Sequence, residues 1–117
     1  MTSQQIPHLL KLVGTPRDSA LLRFSLGNEY LKSADFDHAI AHLEAAVEKD
    51  PGYSAAWKLL GRALGEGGRT AEALSAYRKG MEVARGKGDL QAAREMAVFA
   101  RRLEKALAES GESGTRS

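Results

Sequence analysis

The run Leu26-Gly27-Asn28-Glu29-Tyr30 is echoed 34 residues later by Leu60-Gly61-Arg62-Ala63-Leu64. The surroundings return in phase with it. Twelve positions after each glycine stands a small residue, Ala39 or Ala73, and four further on a large one, Leu43 or Tyr77. No other feature constrains the chain as strongly. A unit of this length cannot bury its apolar face alone, so successive units stack and share one continuous core. Such stacks make surfaces for other proteins and seldom enclose chemistry.

The periodicity is helical throughout and no strand is expected. A short apolar helix over 4–13 is stopped by Gly14 and Pro16. Asp18 or Ser19 caps a helix to about Ser33, and a second covers Phe36 to Lys49 before Asp50-Pro51-Gly52 ends it. The pattern then repeats. One helix runs from Tyr53 to Gly65, and another, capped by Thr70, runs to about Arg85. Gly86-Lys87-Gly88 is a further stop, and Asp89 caps a long last helix over 89–109. Residues 110–117, small and polar, are expected to be disordered.

These residues resemble a tetratricopeptide repeat protein, of the small bacterial type with two repeats and capping helices. The first repeat covers 20–53 and matches the family at Leu26, Gly27, Tyr30, Ala39, Leu43, Ala46 and Pro51. The second covers 54–87 and matches at Trp57, Leu60, Gly61, Leu64, Ala73 and Tyr77. The resemblance implies an all-α, right-handed α-α superhelix of about six helices, a single domain. It is capped by 4–13 at one end and 89–109 at the other. The second copy departs from the pattern where Ala84-Arg85 replaces Asp50-Pro51 and Gly80 replaces Ala46. With the stop moved to Gly86–Gly88, Met96, Ala97 and Ala100 take the places of Leu60, Gly61 and Leu64. Ala93, Met96, Ala100, Leu103 and Leu107 then share one helical stripe, which is expected to cover the core.

In this family the first helix of each pair lines a concave groove that takes peptides or partner helices. Carried onto this sequence, the groove positions are Leu21, Phe24, Asn28, Leu31 and Lys32, then Ala55, Lys58, Arg62 and Glu66. The last helix adds Gln91, Arg94, Val98, Arg101 and Arg102. The resemblance thus implies a protein-binding module or adaptor with a basic floor (Lys58, Arg62, Arg94, Arg101), suited to an acidic segment with an apolar anchor. Members that bind chaperone tails use a carboxylate clamp of Lys and Asn. Here Phe24 and Leu59 stand at two of its positions, so that partner is not expected.

Charge separates along the chain despite a net +2. Residues 18–50 carry seven acidic side chains to three basic, and residues 78–105 eight basic to four acidic. This asymmetry leaves two alternatives open, a self-assembling scaffold (a homodimer or a head-to-tail array) and an accessory domain for nucleic acid or another anion. No nucleic-acid-reading motif is present. His38 and His42, four apart beside Asp35, could approach one metal ion, but no third ligand stands at a fixed spacing and the reading assigns no metal. No nucleophile with its base and no phosphate loop is found, so no catalytic residue, no enzyme activity and no cofactor are expected. There is no cysteine, no secretory leader and no membrane span, which makes the cytoplasm the expected location.

Overall fold

The computed structural model describes residues 4–116, with side chains described for residues 4–110. Six helices occur among the described residues: α1 (Gln5–Leu10), α2 (Ala20–Lys32), α3 (Phe36–Lys49), α4 (Ser54–Glu66), α5 (Thr70–Gly86) and α6 (Leu90–Arg116). No strand occurs among them. Short turns make sequential helices antiparallel neighbours. The tightest partners are α2 with α3, α4 with α5, and α5 with α6, while α1 covers the open side of α2.

Two devices set the helix pairs. The first is the turn. Ala34 (φ +57°) and Gly68 (φ +82°), one period apart, both take the left-handed conformation. Each lets the next N–H reach back to a helix-end carbonyl, Asp35 N–H to Tyr30 O at 2.9 Å and Arg69 N–H to Leu64 O at 2.8 Å. Gly88 (φ +78°) repeats the device between α5 and α6, where Asp89 N–H reaches Ala84 O at 2.8 Å. The second device is close approach. A Cβ placed on Gly27 would lie 2.4 Å from Leu43 Cγ, and one on Gly61 would lie 2.8 Å from the Tyr77 ring. Gly80 does the same for α6, since its Cβ would lie 2.5 Å from Met96 Sδ. In all three cases the large residue comes sixteen positions after the glycine.

Around these contacts the core is continuous. Leu26, Ala39, Leu43, Ala46, Ala56, Ala63, Ala73 and Met96 are fully buried, and among the described residues no charged or polar residue is buried with them. On α6, Ala93, Met96 and Ala100 are buried, with Leu103 and Leu107 half-buried beside them.

Three helix ends differ from expectation. Helix α1 ends at Leu10 and continues as single turns to Gly14, whose φ of +81° breaks the ladder. Thr70 does not cap α5. The turn at Gly68 brings the chain into helix one residue sooner, so Arg69 occupies the cap position and its carbonyl accepts from Ala73 N–H at 2.9 Å. Helix α6 runs on from Ser110 to Arg116, where disorder was expected, because no proline interrupts its ladder. Ser117 lies outside the described residues. Ser19 and Asp89 cap as expected, accepting from the N–H groups of Leu22 (3.1 Å) and Ala92 (3.1 Å), and Asp35 caps α3 by accepting from His38 N–H (3.3 Å).

The two histidines of α3 are held in a polar cluster on the side of the stack. Arg23 donates from Nε and Nη2 to the two Asp18 oxygens (2.8 and 3.0 Å) and from Nη1 to His42 Nδ1 (3.2 Å). Gly14 N–H donates to Asp18 Oδ2 at 2.9 Å, so the cluster ties the α1–α2 loop to α3. Tyr30 stacks on His38 and His42, with ring centroids 4.9 and 5.5 Å apart, and His38 Nδ1 lies 2.8 Å from Asp35. Among the described residues no group of three or more metal-ligating side chains converges. The Arg23 hydrogen bonds, followed by that from Gly14, hold the Asp18 carboxyl well below the usual carboxylate range. Burial, then the neighbouring Arg23 charge, lowers the His42 pKa.

These contacts make definite predictions. Gly27→Ala should destabilise the fold by about 1–3 kcal/mol, overpacking outweighing the helix propensity of alanine. Ala34→Gly should stabilise it by about 1 kcal/mol, since only the non-glycine pays for the left-handed turn. Urea denaturation checks both. With the His42 pKa lowered in the fold, the unfolded chain binds that proton more readily than the folded one. Stability should therefore fall as pH drops from about 7 to about 5, and the Asp18 contribution should persist to lower pH and be lost only below the ordinary carboxylate pKa near 4. His42→Gln should flatten the upper part of that profile.

Candidate functional site

The first helices of the pairs, α2 and α4, line up with α6 to form one concave groove of about 970 Å³. Helix α2 supplies Phe24 and Asn28. Helix α4 supplies Ala55, Lys58, Leu59, Arg62 and Glu66, and α6 supplies Glu95, Val98, Phe99, Arg102 and Leu103. The lining is built from the core outward. Tyr77 of α5 fills the space left by Gly61, and its ring stacks on Phe99 with centroids 5.5 Å apart. Burial raises the Tyr77 phenol to about 12, so it stays neutral. The Arg102 guanidinium lies over the other ring of that stack, 5.8 Å from the Phe99 centroid. At the opposite wall Phe24 stacks on Tyr53, with centroids 5.1 Å apart.

The charges in the groove are mostly paired. Lys58 Nζ meets Glu95 Oε1 at 3.1 Å, linking α4 to α6, and Arg62 Nε meets Glu66 Oε2 at 2.6 Å along α4. Between these pairs the surface is apolar. Val98 and Phe99 stay 40% and 39% exposed within a concavity, an arrangement suited to an apolar side chain.

Of the groove residues expected from sequence, Phe24, Asn28, Lys58, Arg62, Val98 and Arg102 come together, along with Ala55 and Glu66. The others do not. Leu31 is buried in the core, because it lies one turn beyond Gly27 on the face of α2 packed against α3. Leu21 and Lys32 are exposed outside the groove lining, and Lys32 pairs with Glu29 at 3.0 Å. Arg94 lines a separate cleft with Arg85, Leu90, Ala93 and Ala97. Gln91 and Arg101 are exposed and line neither concavity. Of the expected basic floor, Lys58 and Arg62 therefore line the groove, while Arg94 and Arg101 lie outside it. Seven residues apart, Arg94 and Arg101 share a stripe of α6 that its packing on α5 turns away from the groove.

Leu59, Phe99, Glu95, Leu103 and Tyr77 were not expected in the lining. Leu59 enters the sequence reading only as a mismatch to a polar clamp, whereas in the fold it lines the groove beside Phe24. Phe99 carried a usable signal, since it lies about 180° round the helix from Leu90 and three residues before Arg102.

Comparison with known proteins agrees with this architecture. The sequence profile described as tetratricopeptide repeat matches residues 24–80. A TPR repeat-containing protein of Pseudomonas aeruginosa is 46% identical over 101 residues, covering 86% of this chain and 96% of its own. A protein of Bordetella parapertussis solved in solution has a TM-score of 0.78 at 38% identity, with 96% of each chain covered. The solution structure of a tetratricopeptide repeat domain protein of Salinibacter ruber has a TM-score of 0.69 at 31% identity, covering 75% of this chain and 89% of that one. The helix pairs, their glycine contacts and these relatives make one conclusion, that the chain belongs to the tetratricopeptide repeat family.

Proposed function

We propose that this protein is a binding module that holds a short segment of a partner protein in the groove between α2, α4 and α6. Tetratricopeptide repeats generally mediate protein–protein interaction, and the groove supplies the finer reading. The observation that carries it is the pair Val98 and Phe99, each about two-fifths exposed, at the wall of a concavity also lined by Phe24 and Leu59. Large apolar side chains left together in a concave surface favour an apolar anchor on the partner. A carboxylate one turn from that anchor would meet Arg102, whose guanidinium already lies on the aromatic floor. Acidity of the partner thus rests on one cation rather than a basic floor.

The same lining argues against other occupants. Phe24 and Leu59 stand where a carboxylate clamp needs polar side chains, so chaperone tails are disfavoured. Lys58 and Arg62 are engaged by Glu95 and Glu66, which weakens any case for nucleic acid. Binding of this kind requires no catalysis and no cofactor. Among the described residues no helix is long and apolar enough to cross a membrane, and the cysteine-free composition suits the cytoplasm.

Affinity capture from native lysate, quantified by mass spectrometry, tests the proposal. Val98→Glu should reduce the captured partner by at least about tenfold. Ala41→Glu, on the exposed face of α3, should leave capture unchanged. Both variants should keep the wild-type urea midpoint. Full capture by Val98→Glu would remove the groove from the account.

A further inference from the structure

Helix α6 occupies the place of a first helix without its second. Asn28, Arg62 and Val98, one from each of α2, α4 and α6, all line the groove. The residues just before them, Gly27, Gly61 and Ala97, therefore point in equivalent directions. At Gly27 and Gly61 that direction is filled by the second helix of the pair, through Leu43 of α3 and Tyr77 of α5. At Ala97 no described element fills it, since α6 packs only on α5 and α4 among the described helices. What lies there is a cleft of about 220 Å³ lined by Arg85, Leu90, Ala93, Arg94 and Ala97, with Leu90 54% exposed.

We propose that this outer face of α6 receives an acidic amphipathic helix from a partner protein, which completes a third helix pair. The charge pattern selects that occupant. Leu90, Arg94, Ala97 and Arg101 fall within about 60° on the helix, at about 100° per residue. Four residues beyond Gly27 the first repeat has Leu31, buried against its second helix, whereas four beyond Ala97 stands the exposed Arg101. A helix docking here thus finds an apolar strip of Leu90, Ala93 and Ala97 flanked by cations. Among the described residues Arg85, Arg94 and Arg101 form no ion pair, while Lys58, Arg62 and Arg78 are paired with Glu95, Glu66 and Glu104. Carboxylates about one turn from a small or aliphatic contact residue complement this pattern. A second copy of α6 does not. Two-fold pairing about Ala97 would bring Arg94 of one chain against Arg101 of the other. The face is also distinct from the groove, to which α6 gives Val98, Phe99 and Arg102.

The test is an NMR titration of the isotope-labelled full chain with a synthetic peptide of residues 35–49 of this sequence. That segment is the second helix of the first pair, with four carboxylates to one lysine. A covalent link between positions 41 and 45 holds it helical, because a free helix of that length is marginal. The amides of Leu90, Arg94, Ala97 and Arg101 should shift, and those of Asn28 and Leu59 should not. Arg94→Glu with Arg101→Glu should weaken binding by at least about tenfold. Val98→Glu should leave the α6 shifts intact, which separates this face from the groove. A peptide of residues 69–86, with four cations to two carboxylates, should give no shifts at the same concentration. No response to the acidic peptide, shifts confined to the groove, or full binding by the double variant would overturn the proposal. Concentration-dependent dimerisation that broadens the same four amides would make a second copy the occupant and overturn it too.

Discussion

The stack depends on three places where a helix carries no side chain so that a neighbour can come close. Gly27, Gly61 and Gly80 each face a large residue sixteen positions later, Leu43, Tyr77 and Met96, at distances that a Cβ would violate. Dispersion contacts fall off steeply with separation, so helices held this close gain packing that looser pairs forfeit. The consequence reaches the surface. Tyr77 sits on Gly61 and stacks on Phe99, and Phe99 carries Arg102. The groove wall is thus the outer layer of a core contact. Gly80, the departure from the repeat pattern, admits Met96 and so fixes the rotation of α6 that turns Val98 and Phe99 into the groove.

Rotation of α6 also sorts its charges. Its inward stripe is Ala93, Met96 and Ala100, its groove stripe holds Val98, Phe99 and Arg102, and Arg94 and Arg101 occupy a third. Lys58–Glu95 and Arg62–Glu66 are solvent-exposed pairs worth little in stability. Their larger effect is to neutralise the groove, leaving shape and apolar surface to decide what binds. The basic character expected of the groove belongs instead to the outer side of α6.

Much of the fold was legible in the residues because the repeat compares the chain with itself. Period, helix pairing, the glycine–large-residue contacts and the buried stripe of α6 all follow from spacing. What escaped depends on rotation or on competition between local and packing signals. Leu31 was expected in the groove although an apolar residue there is better satisfied in the core. Arg94 and Arg101 were expected on the groove floor because the shifted register places them, with Val98 and Arg102, at groove positions, but register alone does not give the rotation of α6 against α5. Thr70 looks like a helix cap, yet the left-handed turn at Gly68 starts α5 one residue earlier. The spacing of Gly80 and Met96 matches the other two pairs, yet in the register of the repeat Gly80 stands only as a lost alanine.

Site-specific photocrosslinking in cells tests the central claim, that the groove between α2, α4 and α6 is the working surface, most directly. A photoreactive residue at position 98 reports on the groove, and one at position 41 reports on the exposed face of α3. The account predicts a discrete crosslinked partner from position 98 and none from position 41, with the position-98 product lost when Arg102 is changed to Glu. The same partner crosslinked from position 41 and absent from position 98 would contradict it.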